Sequence, residues 1–290
     1  MKIGIGGASG QLGAAAVTQT KARAGAAAVV AISRTPQAVR GADETRHGDY
    51  DRPDSLLDAY RGLDRLLLVP GPDVRPGVRA RQLVAAIDAA VAAGVSHVVL
   101  ISSAATREAA EPSMYAPYWA AEQHLMRTAP RWTILRMNYF AESFAQILQR
   151  GAASGVIAGL AENRVAYVAR EDVAAAAAGI LAGDGHAGAI YHATGPAALG
   201  GAQRAAIAAE ALDQPLRFVA VDEARLRAGI AAAGIPAEYG DAVVDIEKSF
   251  AAGSFDIVTG DVERLSGRAP MALSDVLQRE CRRPAAQDRA

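Results

Sequence analysis

The sequence predicts an α/β chain: a doubly wound parallel sheet followed by a smaller, mainly helical C-terminal lobe. Three observations predict it. A glycine-rich turn joins the apolar run at residues 2–6 to a helical pattern starting near Gln11. Continuous apolar runs, as expected of strands buried on both faces, recur through the first half. Helical patterns separate these runs, and that alternation argues a parallel sheet with right-handed crossovers. This is the Rossmann-type arrangement, in which ligands lie beyond the carboxyl ends of the strands.

The first strand opens onto Gly7-Ala8-Ser9-Gly10-Gln11-Leu12-Gly13. Glycines here permit φ > 0 and let the backbone approach a pyrophosphate closely. The following helix offers free N–H groups and a positive dipole end to the anion. The spacing is G-x-x-G-x-x-G, with serine at position 9, and its context of strand before and helix after supports the dinucleotide reading over a simple turn. The second strand, Ala28 to Ile32, ends in Ser33-Arg34. An NAD-binding chain has Asp or Glu about 20 residues after the glycines to hold the ribose hydroxyls. Arg34 instead suits a 2′-phosphate through charge-assisted, forked hydrogen bonds, and Ser33 adds a hydroxyl. NADP(H) is therefore expected over NAD(H), the alternative being that Arg34 is a solvated surface residue.

Leu66 to Val69 reads as the next strand, closed by Pro70-Gly71-Pro72. Leu83 to Ala93 reads as a helix from its 3.6-residue apolar spacing, with Gly94 closing it. Val98 to Ile101 forms a strand opening onto Ser102 and Ser103, Trp119 to Met126 a helix, and Thr133 to Leu135 a strand leading into Arg136-Met137-Asn138-Tyr139. The strand-end candidates are therefore Gly7 to Gly13, Ser33, Arg34, Val69, Pro70, Gly71, Pro72, Ser102, Ser103 and Arg136 to Tyr139. Tyr139 to Gln149 reads as a helix leaving the sheet, and Gly151 to Gly159 as a loop that could cover a substrate. Ala174 to Leu181 reads as a helix with an acidic first turn, and Ala189 to Thr194 as a strand. From Gly200 onward the pattern is helical with little sheet character. Phe218, Ile235, Tyr239 and Phe250 are either an apolar substrate wall or plain core.

Composition limits the function. The chain has 290 residues and a net charge of −1, so no bulk field favours nucleic acid or a membrane surface. No apolar stretch approaches the roughly 18 residues of a membrane helix, and the N-terminal pattern is a strand, not a signal peptide. The one cysteine, Cys281, leaves no internal disulfide or cysteine metal cluster, and it borders an Arg/Pro/Ala-rich tail expected to fray. The five histidines lack ligand spacing, so no metal is expected. A reducing cytoplasm is the simplest compartment. Whether the chain forms a homodimer is left open.

The chain resembles the NmrA-like branch of the atypical short-chain dehydrogenase/reductase superfamily. It is most similar there to bacterial NADPH:quinone reductases of type 2 and triphenylmethane reductases. The matching stretches are residues 7–13, Val30-Ala31-Ile32-Ser33-Arg34, Arg46-His47-Gly48-Asp49-Tyr50, Ala93-Gly94-Val95-Ser96-His97, Leu135-Arg136-Met137-Asn138-Tyr139 and Val262 to Arg268. The resemblance implies that Asp49 and Tyr50 sit by the adenine, although Asp49 could equally be a turn or helix-capping residue. It also implies that the Val69–Pro72 loop lines the cofactor cleft, with Ser103, Asn138 and Tyr139 near the nicotinamide. Residues 1–138 would form the NADP(H)-binding domain, with 164–195 returning to it, and 139–163 with 196–290 the substrate lobe.

One departure concerns mechanism. Typical short-chain dehydrogenases use a Tyr-x-x-x-Lys pair for proton transfer. This chain has only Lys2, Lys21 and Lys248, so Gln123 falls at the lysine's place and Trp119 at the tyrosine's. Gln123 can still bond a ribose hydroxyl. Tyr115 and Tyr118 stand nearby as proton donors, substrate walls or half-buried aromatics. With Ser103 and Gln123 they are the catalytic candidates. Two functions fit: an NADPH-dependent reductase of a conjugated quinone, dye or enone, needing no dyad, or a non-catalytic NADP(H)-sensing regulator.

Overall fold

The computed structural model of the chain describes residues 1–151 and 154–281. Its strands are β1 (Lys2–Gly6), β2 (Ala28–Ser33), β3 (Glu44–His47), β4 (Arg65–Leu68), β5 (His97–Ser103), β6 (Trp132–Met137), β7 (Val156–Gly159), β8 (Arg164–Val165), β9 (Ala189–Ala193), β10 (Leu199–Gly200) and β11 (Arg217–Ala220). Its helices are α1 (Gln11–Arg23), α2 (Asp54–Tyr60), α3 (Val78–Ala92), α4 (Ala116–Thr128), α5 (Ala141–Gly151), α6 (Arg170–Ala182), α7 (Gly201–Leu212), α8 (Glu223–Ala232), α9 (Ala237–Ala251), α10 (Asp261–Ser266) and α11 (Leu273–Cys281). Contacts group these elements into two compact units: Met1–Met137, Arg170–Ala193 and Gly260–Ala269 in the first, and Asn138–Ala169, Thr194–Thr259 and Pro270–Ala290 in the second.

The first unit holds a seven-stranded sheet in the order β3-β2-β1-β4-β5-β6-β9. Every pairing in it is parallel. The central strands are apolar because both faces are covered: Ile3, Ile5, Val29, Val30, Leu66, Leu67, Val98, Val99, Leu100 and Ile134 are all fully buried. The order reverses between β1 and β4, so the crevice that such a sheet offers a ligand opens at their carboxyl ends. The stretch 260–269 returns to this unit. There α10 presses on α6 so closely that a Cβ on Gly179 would lie 2.0 Å from the Leu265 carbonyl oxygen. Arg268 also pairs with the buried Asp172 at 3.0 Å, and Arg23 donates to the Ser266 carbonyl.

In the second unit β7 pairs in parallel with β11, and β8 antiparallel with β10. Its core is aromatic: Tyr139 meets Phe250 edge-on at 5.0 Å, and Phe144 lies 4.9 Å from Tyr167.

The structure revises several expectations. Val156–Gly159, read as part of a loop, is a strand held by β11; residues 152 and 153 of that stretch lie outside the described residues, as does the Arg/Pro/Ala-rich tail from 282. β3 and α2 carry no sequence prediction. β3 is a four-residue edge strand of alternating exposure, and α2 has seven residues, too few to show a period. α3 begins at Val78, five residues before its apolar spacing becomes regular, and α4 begins at Ala116. Phe250 is core, Phe218 and Ile235 are half-buried, and Tyr239 is exposed.

Candidate functional site

The glycine turn is built by backbone contacts that forbid side chains at two of its three glycines. Gly7 has φ +69°, and a Cβ there would stand 3.2 Å from the Val69 carbonyl oxygen. A Cβ on Gly13 would come within 2.1 Å of the Gly7 carbonyl oxygen and 2.7 Å of its carbon, so α1 can start this close to β1 only without one. Gly10 differs. It is exposed and extended (φ −77°, ψ 164°), and the nearest atom to a Cβ there is 3.4 Å away. The absence of a side chain at Gly10 therefore keeps space open outside the protein. Gly10 caps α1 without a side-chain hydrogen bond, so the first N–H groups of the helix, those of Gln11, Leu12 and Gly13, have no intrahelical acceptor. An uncapped helix start beside an open backbone cradle fits a pyrophosphate.

At the end of β2 the Ser33 hydroxyl is buried, donates to Ser9 Oγ at 2.7 Å and accepts from the Thr35 N–H at 3.0 Å. It ties the glycine turn to the β2 loop. Arg34 is exposed and has neither ion pair nor hydrogen bond among the described residues. Its guanidinium is therefore available to an external anion.

Asp49 and Tyr50 follow β3. The Asp49 carboxylate accepts from the Asp51 N–H at 3.0 Å, and its own N–H donates to Ser55 Oγ at 2.9 Å. Of the two roles open to Asp49, its side chain fills the turn role. The Tyr50 ring packs on the core with its hydroxyl buried at β1, where a Cβ on Gly6 would meet that oxygen at 2.6 Å. Burial pushes the Tyr50 hydroxyl well above the usual tyrosine range. Tyr50 thus supports the floor beneath the glycine turn.

The Val69–Gly71 loop touches Gly7 on one side and α3 on the other. The Gly71 carbonyl accepts from Arg79 Nε at 3.2 Å, and Arg79 lies over the Tyr118 ring at 5.1 Å. Arg79 escapes the sequence reading because α3 begins before its apolar spacing does. Below it, Gln82 donates to Asp51 at 2.9 Å and leaves Oε1 buried without a partner. Asp73 is held by Arg75, whose guanidinium and N–H pull its carboxyl down to about 2.

The carboxyl ends of β5 and β6 are filled from within. Glu122 on α4 is fully buried; it accepts from Ser102 Oγ at 2.5 Å and takes both prongs of Arg136, at 2.9 and 2.6 Å. Glu122 shares a helix face with the buried Tyr118, Ala121 and Leu125, yet no local spacing in the sequence ties it to Ser102 and Arg136. Beside Arg136 in register on β9 is His192, whose imidazole burial, then Arg136, hold below the usual histidine range. Ser103 is buried and accepts from the Ala105 N–H at 3.3 Å. Tyr115 and Tyr118 are buried, not half-buried, and each has an arginine over its ring, Arg107 at 5.0 Å and Arg79 at 5.1 Å. Gln123 is half-buried and makes no hydrogen bond to protein among the described residues. Asn138 and Tyr139 belong to the second unit. The Asn138 amide donates to the carbonyls of Phe255 at 3.1 Å and Ile257 at 3.5 Å, while Tyr139 joins the aromatic core.

Parallel sheet, switch-point crevice and uncapped glycine turn define a dinucleotide-binding protein. The chain belongs to the NAD(P)H-binding family, whose model matches residues 7–184. It is 28% identical to Quinone oxidoreductase 2 of Escherichia coli over 94% of this chain and 96% of that one. A solved NADPH-dependent quinone oxidoreductase from E. coli, in complex with NADPH, superposes with a TM-score of 0.86 at 28% identity, covering 96% of this chain and 99% of that one. The Citrobacter sp. triphenylmethane reductase complexed with NADP(H) gives a TM-score of 0.84 at 25% identity, over 97% and 100% of the two chains. The chain is also 31% identical to the (4-alkanoyl-5-oxo-2,5-dihydrofuran-3-yl)methyl phosphate reductase of Streptomyces griseus, over 84% of this chain and 86% of that one. Among the described residues no helix is long and apolar enough to cross a membrane, and no cluster of three or more metal-ligating side chains is present.

Proposed function

We propose that this protein is an NADPH-dependent reductase that transfers hydride to a flat conjugated acceptor, a quinone, dye or enone, without a Tyr-x-x-x-Lys dyad. That it is an NAD(P)H-dependent oxidoreductase follows from its family and relatives; the acceptor class and the missing dyad are the finer reading. The carrying observation is Gln123, a neutral amide on α4 without a hydrogen-bond partner among the described residues, where a lysine would stand, with no lysine between Lys21 and Lys248.

Gly7, Ser9, Gly10, Gln11, Leu12 and Gly13 would hold the pyrophosphate, Ser33 and Arg34 the 2′-phosphate, and Asp49 and Tyr50 would border the adenine. Val69, Pro70 and Gly71 would border the cofactor, with Ser102, Ser103, Gln123, Asn138 and Tyr139 toward its nicotinamide end. When bound, NADPH supplies a hydride, and a conjugated acceptor spreads the charge that arrives with it. Protonation of the reduced acceptor then falls to water, because Tyr115 and Tyr118 are buried beneath arginines and the sequence has no lysine between Lys21 and Lys248.

Stopped-flow oxidation of NADPH by menadione, a triphenylmethane dye, an enone and a simple ketone tests this reading. The conjugated acceptors should react fastest, since a ketone needs a proton as its oxygen becomes alkoxide. A faster ketone would require a proton donor and overturn the dyad-free reading. No oxidation by any acceptor would leave the NADP(H)-sensing alternative.

A further inference from the structure

We infer that Arg79 is an anion-recognition residue and that the physiological acceptor is a conjugated molecule carrying a phosphate, carboxylate or sulfonate group. This rests on the reductase reading of the same site.

Arg79 is 6% exposed. An arginine so far from water normally has its five N–H donors and its charge satisfied by protein. Here one donor is used, Nε to the Gly71 carbonyl at 3.2 Å, and the terminal nitrogens bond to no protein atom among the described residues. No carboxylate pairs with it among the described residues. The nearby acid that could do so, Asp73, is taken by Arg75 through three contacts of 2.6 to 3.1 Å. The Tyr118 face beneath the guanidinium, 5.1 Å from its centre, steadies the cation without neutralising it.

The position matters as much as the missing partner. Arg79 anchors the loop that touches Gly7 at the sheet's switch point, and it covers an aromatic ring on the first turn of α4. A forked guanidinium held by its Nε end and by a ring face leaves its terminal pair for a two-oxygen anion. A phosphate of the dinucleotide has the same chemistry as an acidic group on the acceptor. Arg34 and the α1 turn already offer donors for the dinucleotide's phosphates, so we assign Arg79 to the acceptor.

The test measures binding to the protein loaded with NADP+, which cannot turn over. The probes are naphthoquinone sulfonate and menadione, followed by calorimetry, with NADPH titrated in parallel. The sulfonate should bind roughly ten- to a hundredfold tighter than menadione, the range of a charge-assisted hydrogen-bonded pair. Arg79→Gln should abolish that preference, and Arg79→Lys, which keeps the charge but loses the fork, should restore part of it. Equal binding of the two quinones by the unmutated protein overturns the proposal, and this comparison needs no variant to fold. A preference that survives in Arg79→Gln overturns it too. A tenfold or greater loss of NADPH affinity in Arg79→Gln, with the quinone preference intact, assigns the arginine to the dinucleotide and also overturns it. If the sulfonate preference depends on Arg79 but no acceptor oxidises NADPH, the anion site stands and the reductase reading fails.

Discussion

The carboxyl ends of β1 and β2 and those of β5 and β6 lie in one sheet and differ in what they do with polar groups. At β1 and β2 the groups are left unsatisfied: α1 starts without a side-chain cap and Arg34 has no partner among the described residues. At β5 and β6 they satisfy one another, with Ser102, Glu122 and Arg136 closing a buried network. The first arrangement costs little in water, because these groups are exposed, and it leaves them open to a ligand. The second is complete on its own and can persist for stability alone.

The largest break in this comparison should come from the glycine turn itself. Gly13→Ala puts a methyl 2.1 Å from a backbone oxygen that cannot swing away. Urea unfolding should show a loss of about 3 kcal/mol or more, the upper range of overpacking, or no folded protein at all. Gly10→Val, three residues earlier, should fold normally, because its nearest contact is 3.4 Å. Its NADPH affinity should fall roughly a hundredfold, or about 2.8 kcal/mol. Equal unfolding midpoints for the two variants would dissolve the distinction between a glycine kept for packing and one kept for a ligand.

At the other end, Glu122→Ala should cost about 3 kcal/mol in urea unfolding, because Arg136 is left without its buried partner. A change under about 1 kcal/mol would mean that the network is slack and that its residues are free for another task. Arg34→Ala should leave stability alone, since the side chain is exposed and unpaired. It should cut the preference for NADPH over NADH by roughly ten- to a hundredfold, as read from the two dissociation constants. Equal binding of both by the unmutated protein would sink the assignment to the 2′-phosphate. Smallest of all, Gln123→Ala should weaken NADPH by about 0.5–1.5 kcal/mol, the worth of a neutral hydrogen bond.

The same contrast governs what was legible in the sequence. The open end announces itself in consecutive residues, because a glycine turn and a strand-end arginine are local features: Gly7, Gly13 and Arg34 lie where their spacing places them. Strands buried on both faces are equally legible as unbroken apolar runs. The closed end is assembled from residues 20 and 14 positions apart in the chain, and no period links Ser102, Glu122 and Arg136 until the sheet brings them together. Arg79 is hidden differently: it stands in the first turn of α3, ahead of Leu83, where the apolar spacing that marks the helix begins. β3 and α2 are too short to show a period, and Val156–Gly159 becomes a strand only because β11, about 60 residues on, pairs with it.

Catalysis without a positioned acid is the central claim, and the double variant Tyr115→Phe with Tyr118→Phe tests it most directly. Single-turnover oxidation of bound NADPH by menadione should stay within about tenfold of the unmutated rate, with NADPH affinity unchanged. A loss of roughly a hundredfold or more, the usual worth of a positioned general acid, in a variant that folds and binds NADPH normally would make one of these tyrosines the proton donor and contradict the account.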